Sequence, residues 1–361
     1  MTPRERFHAT MDGKKPDRFF RYELGAWPST IKKWKTQGMP EDADFNAHFG
    51  MDPFFRLPFA TGYTDSPLYP RFERKTLTKG AGWEIVKDSD GIVKKVLSAD
   101  GDLSMPQFLE FPMKSGSDWP ALESRLDPAN VPKLLGDVAP VALKLSQMPD
   151  VPVVMTICGG FGHPRNLMGD EALFYAMFDE PELIRMIIAN WLALYKSVID
   201  FVCGAVKVDC MLIWEDMCYR NGPLIGPGHF TEFILPSYTD LISHAKSRGI
   251  DYVWVDTDGD VRKLLPLFLA AGVDALLPFE VQAGMDVVSI RKEYGGSFTI
   301  IGGIDKRVLA GDRGGIKAEV DRVLPFFTES GRYIPTLDHT APVNVPYENF
   351  LYYLECVREY E

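Results

Sequence analysis

The sequence predicts an α/β protein built as a (β/α)8 TIM barrel, with N-terminal helices and a small antiparallel β insertion. Two observations lead to this fold: short apolar runs alternate with amphipathic helical stretches after residue 150, and residues 55–113 have a different, hairpin-like pattern. Strand-length apolar runs separated by helices are typical of parallel strands that are buried on both faces.

Six apolar runs in the second half of the chain have the length of buried strands. They are VPVVMTI (151–157), DCMLIW (209–214), DYVWV (251–255), ALLPF (275–279), FTIIG (298–302) and YIPTL (333–337). Amphipathic stretches such as 182–201 and 230–248 fill the gaps between them. Six such units, with further strands available earlier in the chain, favour a closed barrel over an open sheet.

The first part of the chain has a different organisation. Residues 2–5, Thr-Pro-Arg-Glu, predict a helix start, because a capping threonine precedes a proline and an early acid. Short helices are expected over 29–37 and 41–49. Within 55–113, Asp90-Gly91 between alternating runs predicts a hairpin. We therefore interpret 1–361 as one barrel domain with 55–113 as a β-hairpin subdomain within it.

Composition excludes several classes of partner. The net charge of −11 and the pI of about 5.2 disfavour binding to nucleic acid or to anionic membranes. The five cysteines are odd in number and form no CxxC motif, which indicates a reducing compartment rather than a disulfide framework. The charged N-terminus resembles no secretory signal, and no apolar run approaches the length of a membrane helix. We expect a cytoplasmic protein, and a homodimer is compatible with its sequence.

Polar residues follow the predicted strands, where parallel βα folds place their catalytic groups. They are Glu215, Asp216, Asp256, Asp258, Glu280, Asp338 and His339. So many carboxylates at one mouth repel one another unless protons, basic partners or a cation offset their charge. An aspartate after a strand can also simply cap the next helix, so Asp258 and Asp305 each have a structural alternative. The set as a whole predicts a functional mouth.

Weaker signals have two readings each. His339 stands beside Asp338 and is either a ligand or proton shuttle or a buried structural histidine. His163 follows a glycine-rich stretch, which either allows close approach of a ligand to a helix N-terminus or forms a tight turn. Cys158 and Cys218 lie near strand ends without the spacing of a ligand set, and their roles stay unassigned.

Four segments, in order, resemble one known family. They are WEDMCYRNGPLIGPGHFTEFILPSY (214–238), VDTDGDVRKLLPLFLAAGVDALLPFE (255–280), IIGGIDKRVLAG (300–311) and GRYIPTLDHTAPVNVPYENFLYYLE (331–355). Together they resemble the uroporphyrinogen decarboxylase superfamily from about residue 150 to the end, and more weakly in the N-terminal helices. The resemblance implies a TIM barrel with one of two activities. One is decarboxylation of uroporphyrinogen, and the other is methyl transfer to or from a corrinoid protein.

The N-terminal segment favours the methyltransferase branch. True decarboxylases of the superfamily carry a stretch resembling WxMRQAGRYxPEY, whose arginines hold substrate carboxylates. The matching segment here, FRYELGAWPSTIKKWKTQG (20–38), lacks the arginine pair and carries Glu23 nearby. Bidentate arginine is the usual partner of a carboxylate. The basic residues expected near the mouth are Lys306, Arg307, Arg165 and Arg220.

The resemblance also implies a metal site, in altered form. Thiol methyltransferases of the superfamily hold zinc with a His-x-Cys pair at the strand end that here reads Asp256-x-Asp258, and with a later cysteine near Asp338-His339. Oxygen donors replace sulfur, which argues against thiol activation. Asp256, Glu280 and His339 are left as candidate ligands of a divalent ion, with zinc as one candidate.

The sequence therefore predicts a corrinoid-dependent methyltransferase that demethylates a small substrate of methoxy-aromatic or methylamine type, or runs the reverse transfer. A Lewis acid or general acid at the leaving atom lowers the barrier to such a reaction. The resemblance implies that a partner protein carries the corrinoid, which is of the cobalamin type. The expected catalytic residues are His339, Asp256 and Glu215. Substrate contacts are expected from Asp216, Trp214, Tyr219, Phe161 and His163.

An acidic, aromatic-lined mouth would also attract a methylammonium group. Its candidate aromatic residues are Trp27, Tyr63, Phe161, Trp214 and Tyr219, each with a core or wall position as the alternative.

Two other functions stay open: a decarboxylase acting on a small or tetrapyrrole carboxylate, and a non-enzymatic tetrapyrrole- or corrinoid-binding protein. The identity of the methyl donor and acceptor is not encoded in any motif.

Overall fold

The computed structural model describes residues 1–59, 67–97, 106–329 and 331–361. The described α-helices are α1 (Pro3–Met11), α2 (Pro28–Thr36), α3 (Phe45–Phe49), α4 (Trp119–Arg125), α5 (Val131–Leu135), α6 (Ala139–Ser146), α7 (Gly162–Met168), α8 (Asp170–Asp179), α9 (Pro181–Cys203), α10 (Pro227–His229), α11 (Leu235–Ser247), α12 (Leu265–Ala271), α13 (Val287–Tyr294), α14 (Arg313–Val323) and α15 (Tyr347–Arg358). The described strands are β1 (Phe55–Arg56), β2 (Lys75–Gly80), β3 (Trp83–Lys87), β4 (Val93–Leu97), β5 (Gln107–Glu110), β6 (Val153–Cys158), β7 (Cys210–Trp214), β8 (Cys218–Tyr219), β9 (Gly222–Pro223), β10 (Tyr252–Asp256), β11 (Ala275–Leu277), β12 (Thr299–Ile301) and β13 (Tyr333–Ile334).

Seven parallel strands of the described chain form one curled sheet. Their order is β1-β6-β7-β10-β11-β12-β13, so each strand lies beside the next barrel strand in sequence. The register aligns the strand ends, because Asp256 pairs with both Trp214 and Leu277. Helices connect consecutive strands, as right-handed βα units require. This arrangement confirms the predicted α/β barrel, with seven described strands in the parallel sheet.

Residues 18–27 lie between the last strand and the first and join them without forming a regular strand. The backbone N–H of Asp52 donates to the carbonyl of Arg21 at 2.9 Å, on the β1 side. On the β13 side, Ala26 bridges Ala341, and the Glu23 carboxylate accepts from the Thr336 hydroxyl at 2.6 Å. The ring is therefore closed partly by a buried acid rather than by a continuous hydrogen-bond ladder.

Side chains alternate between two cores along the strands. On β10, Tyr252 and Trp254 belong to a cluster inside the barrel, whereas Val253 and Val255 pack against the surrounding helices. Helix α1 closes the N-terminal end of the interior, where the Phe7 ring lies 5.6 Å from the ring of Trp254. Because successive side chains of a strand face opposite sides, Asp256 continues the inward series at the other end of the barrel.

The antiparallel insertion is present as predicted and pairs in the order β2-β3-β4-β5. Gly91, in the Asp90-Gly91 turn between β3 and β4, has a φ of +85°, which a glycine adopts without strain. Phe55–Arg56 pairs with β6 and so belongs to the barrel rather than to the insertion. Tyr63 lies outside the described residues.

One described helix, Pro181–Cys203, is long and apolar enough to span a membrane by length and composition, contrary to the sequence-based expectation. Its apolar face packs against the barrel through Ile187, Trp191 and Val198, which are fully buried. The helix therefore occupies the position of a core helix in a globular domain. The cytoplasmic location stays a prediction.

Glu23 provides a test of how the ring is closed. Burial raises its pKa to about 7 from 4.5, although hydrogen bonds from Thr336, Tyr353 and the Leu337 N–H act in the opposite direction. As the pH rises, the unfolded chain loses the Glu23 proton at a lower pH than the folded chain does. The contribution of Glu23 to the free energy of unfolding is therefore complete below about pH 4.5 and is lost as the pH rises through about 7. We predict that Glu23→Gln removes about 3 kcal/mol of this pH dependence in the free energy of unfolding.

Urea unfolding between about pH 5 and about pH 8 measures the effect. Glu329→Gln, at an exposed surface position, is the matched control and should leave the pH profile unchanged. A Glu23→Gln profile that parallels the wild-type profile would contradict the prediction.

Candidate functional site

A cavity of about 1290 Å3 opens at the carboxyl ends of the strands. It exceeds the volume of about 300–1,000 Å3 that is usual for small-molecule sites. Its lining includes Tyr22, Glu23, Trp27, Phe54, Arg56, Thr156, Leu212, Trp214, Asp216, Cys218, Tyr219, Arg220, Asp256, Asp258, Glu280, Gln282, Arg307 and His339.

Asp256 lies deep in this cavity at the end of β10. Burial raises its pKa to about 7, and the negative charge of Asp258 adds to the shift. The positive charges of His339 and Arg56 act in the opposite direction. A carboxyl group with this pKa can give up or take a proton near neutral pH, which is the property required of a general acid or base.

His339 and Asp258 form a pair on the cavity wall. The His339 Nε2 atom lies 3.5 Å from the Asp258 Oδ2 atom. Burial lowers the pKa of His339, but the hydrogen bond and the charge of Asp258 raise it by more, so the net shift is upward. The Trp27 ring stacks on the imidazole with centroids 6.3 Å apart. The structure thus brings the predicted residues His339 and Asp256 to one cavity.

Glu215 does not line the cavity, although it directly follows the inward-facing Trp214. It is fully buried on the opposite side of the strand, where its Oε2 atom accepts from the N–H groups of Phe161 at 3.0 Å and Gly162 at 2.9 Å. The Tyr238 hydroxyl donates to the other carboxylate oxygen. A Cβ atom at Gly159 would lie only 2.1 Å from the Glu215 carboxyl carbon. The geometry therefore gives Glu215 a positioning role at the start of α7, in place of the predicted catalytic one.

Phe161 and His163 also lie behind the cavity wall rather than on it. Both are buried, and burial lowers the pKa of His163 to about 4, so its imidazole is neutral. The predicted direct contacts of these two residues with substrate do not agree with this placement. Arg165 on the same helix links them to the cavity: its guanidinium lies 5.6 Å from the Phe161 ring and 5.0 Å from the Trp214 ring.

Trp214, Asp216 and Tyr219 line the cavity, where substrate contacts are predicted. Asp216 has a φ of +48°, and Arg165 Nη1 donates to its carbonyl at 2.6 Å, which holds the strained turn. Burial raises the pKa of Asp216 to about 6. Tyr219 is exposed at the rim, and Gly259 approaches its carbonyl so closely that a Cβ atom would lie 2.6 Å away.

A lysine and backbone N–H groups offset the negative charge of the remaining acids at the mouth. Asp338 is fully buried and accepts from the N–H groups of Val281 and Lys306, each at 2.9 Å. Glu280 accepts from the Gly259 N–H at 3.1 Å and lies 3.3 Å from the Lys306 ammonium. Burial raises the pKa of Asp338. Asp338 is thus a structural link between two strand-end loops.

The residues proposed as metal ligands do not fit a shared ion as they are placed. Asp256, Glu280 and His339 do not bring their donor atoms within 4.8 Å of one another; in the described part of the chain the group that does is His8, Asp209 and Asp251. In that group Asp209 is already bound by His8 and by Arg4, which lies near the N-terminal end of the barrel.

Among the described residues, Cys218 is the cysteine that lines the cavity. Burial raises its pKa to about 12, so without a bound metal it is a thiol at neutral pH. Cys158 is buried behind the wall, and burial likewise raises its pKa. The metal therefore stays a prediction.

Arg56 is a cavity residue that the sequence analysis missed. It ends the strand β1, which has only two residues and gives no periodic signal. The available signal was the order of residues in DPFFR, where a charged residue follows an apolar run, as at the other strand ends.

A family model described as uroporphyrinogen decarboxylase (URO-D) matches residues 100–360. The chain belongs to the uroporphyrinogen decarboxylase family. Curated members of this family from Chlorobium phaeovibrioides and Crocosphaera subtropica are 25% and 27% identical over 189 and 229 residues. These matches cover 51% and 56% of this chain, and 51% and 58% of the relatives, so the chain spans about half the length of the curated relatives it matches.

A solved structure of a methyltransferase from Methanosarcina mazei has the same overall fold. The two superpose with a TM-score of 0.67 over 99% of each chain, at 16% sequence identity. At this level of identity the likeness establishes the shared barrel and not a shared activity.

The different placements of Glu215 and Asp256 predict different effects on stability. Glu215→Ala removes the acceptor for two buried N–H groups and the Tyr238 hydroxyl, so we expect a loss of about 3 kcal/mol or more in the free energy of unfolding. Asp256→Asn should leave stability unchanged or slightly raised at about pH 8, because it removes a charge that burial disfavours. Equal losses in the two variants, measured by urea unfolding, would contradict this assignment.

Proposed function

We propose that this chain is a methyltransferase that moves a methyl group between a small methylated substrate and a corrinoid carried by a partner protein. The observation that carries the proposal is the acid on the cavity floor, Asp256, whose pKa is about 7 and which shares the cavity with the His339–Asp258 pair. In addition, residues 20–38 lack the arginine pair that the decarboxylase pattern places in this segment.

Cleavage of the bond to the methyl group requires a proton for an oxygen leaving group. The bond between the methyl carbon and the leaving oxygen or nitrogen breaks, and the leaving atom keeps the electron pair. Protonated Asp256 then donates its proton to an oxygen leaving group, which departs as a neutral hydroxyl compound. When bound, the corrinoid supplies the nucleophile that accepts the methyl group. In the reverse direction, ionised Asp256 takes the proton from the acceptor.

The other cavity residues orient the substrate for this step. Trp214 and Asp216 form a wall that Arg165 holds in place, and Tyr219 lies at the rim. When it is protonated, His339, whose pKa is raised by Asp258, offsets the negative charge that develops on the leaving group. A volume of about 1290 Å3 leaves space above a small substrate for a second reactant. The likeness in fold to a methyltransferase from Methanosarcina mazei, over 99% of each chain, supports the proposal.

A carboxy-lyase is the second candidate. It is favoured by Arg56, a cationic group on the cavity floor that could hold a substrate carboxylate, and by the family description. Release of carbon dioxide without any transfer of a methyl group would favour the carboxy-lyase over the methyltransferase.

We predict that Asp256→Asn lowers kcat for methyl transfer from a methoxy compound to free reduced cobalamin by about 100-fold or more, with a small change in KM. The wild-type rate should fall as the pH rises through about 7, because the proton of Asp256 is lost there, and the variant should lack this limb. Asp260→Asn is the matched control, since Asp260 lies outside the cavity lining and pairs with Arg262. An Asn variant that keeps the wild-type rate and pH profile would refute the role of Asp256.

His339→Gln keeps a polar side chain beside Asp258 but removes the group that can take up a proton. We predict a loss of about tenfold in kcat, because a group that can carry a positive charge near the leaving atom is removed while the proton donor, Asp256, stays. The measurement is the same methyl transfer assay, with the fold of the variant checked by circular dichroism. A change confined to KM would instead assign His339 to substrate binding.

A further inference from the structure

We propose that Arg56 and Tyr22 form an anion subsite on the cavity floor that binds the carboxylate of a small monocarboxylate substrate. The inference rests on the proposed function in one respect: it takes the strand-end cavity as the substrate site. It adds a substrate class that the family match does not assign.

Position is the first argument. Arg56 lies two residues after Phe54, whose ring stacks on Trp254 inside the barrel with centroids 5.7 Å apart. Because residues i and i+2 of a strand share a face, Arg56 lies above Phe54 on the inner side, and its guanidinium carbon is 5.9 Å from the Phe54 ring. Arg56 lines the cavity, and its side chain is exposed there.

Unused hydrogen-bonding capacity is the second argument. A guanidinium has five N–H donors. Among the described residues, the side chain of Arg56 makes one hydrogen bond, from Nη2 to the Tyr22 hydroxyl at 2.6 Å, and no carboxylate lies within 4.0 Å of it. By contrast, Arg307 binds Asp305 with two nitrogens, and the arginines Arg6 and Arg18 both bind Asp52.

Charge gives the third argument. Arginine cannot lose its proton in a protein, so Arg56 stays cationic inside an aromatic-walled cavity and requires an anion or water as partner. Tyr22 strengthens the site: burial raises its pKa, so its hydroxyl keeps a hydrogen that it can donate while its oxygen accepts from Arg56. Two donors side by side match the two oxygens of one carboxylate.

The surroundings limit the anion to a single small group. Asp256 is close enough to Arg56 for their charges to interact, yet the two form no salt bridge within 4.0 Å, which leaves a gap between them. A carboxylate bound at Arg56 would present the rest of its molecule to Asp256. A polycarboxylate would meet Asp216, Asp258 and Glu280 higher in the cavity and would be repelled.

Binding of benzoate tests the subsite without any methyl transfer. Tyr22, Phe54 and Trp214 provide aromatic wall for its ring, and benzamide and phenyltrimethylammonium are its neutral and cationic counterparts. By isothermal titration calorimetry of the full chain, we expect benzoate to bind at least about tenfold more tightly than benzamide. Arg56→Gln should remove this preference, and Tyr22→Phe should reduce it by a smaller factor. Arg248→Gln, at a position outside the cavity lining where Arg248 pairs with Asp200, should leave it intact.

Two results would overturn the subsite: benzoate binding by Arg56→Gln as tight as by the wild type, or tighter binding of the wild type to benzamide or phenyltrimethylammonium. If Arg56→Gln does not fold, Arg56→Lys replaces it, because lysine keeps the positive charge but lacks the bidentate geometry of the guanidinium. This variant should bind benzoate with intermediate affinity. Benzoate preference without methyl transfer would leave the subsite standing and the proposed function refuted. Methyl transfer from uncharged substrates without benzoate preference would refute the subsite alone.

Discussion

Side chains along each barrel strand point alternately into the barrel and toward the helices, and the chemistry of this chain depends on that constraint. Tyr252, Trp254 and Asp256 share the inner face of β10, so the last of them reaches the cavity. Glu215 lies one residue beyond the inward-facing Trp214 and is buried on the other side. One position of difference thus separates an acid that lines the cavity from an acid that holds a loop.

The mouth tolerates many carboxylates because each has its own compensation. Lys306 lies within 3.4 Å of both Glu280 and Asp338, and backbone N–H groups bind the same two acids. Glu215 is stabilised by two N–H groups and a tyrosine, whereas Asp256 keeps a raised pKa and can carry a proton. Protons and basic partners thus offset part of the charge at the mouth, and the cation stays a prediction.

Family membership leaves the choice between two chemistries to the cavity itself. The floor combines an acid that titrates near neutral pH with an arginine that has unused donors, and neither residue belongs to the N-terminal arginine pattern of the decarboxylases. A proton donor suits the release of a leaving group, and a single cation suits one carboxylate rather than many. Methyl transfer from a small carboxylated substrate is consistent with both.

Sequence alone determined the barrel class, the antiparallel insertion and the convergence of strand-end acids, because apolar periodicity, turn residues such as Asp90-Gly91 and strand polarity are local or fold-level properties. It also predicted that Asp256 and His339 lie together, and both line one cavity. Only the tertiary structure decided which side Glu215 faces, that α7 buries His163, and that Arg56 from a two-residue strand reaches the cavity floor. These outcomes depend on the exact residue at which each strand ends. They also depend on which groups from distant parts of the sequence, such as Lys306, lie between the acids. A periodic sequence pattern encodes neither the strand ends nor these long-range contacts.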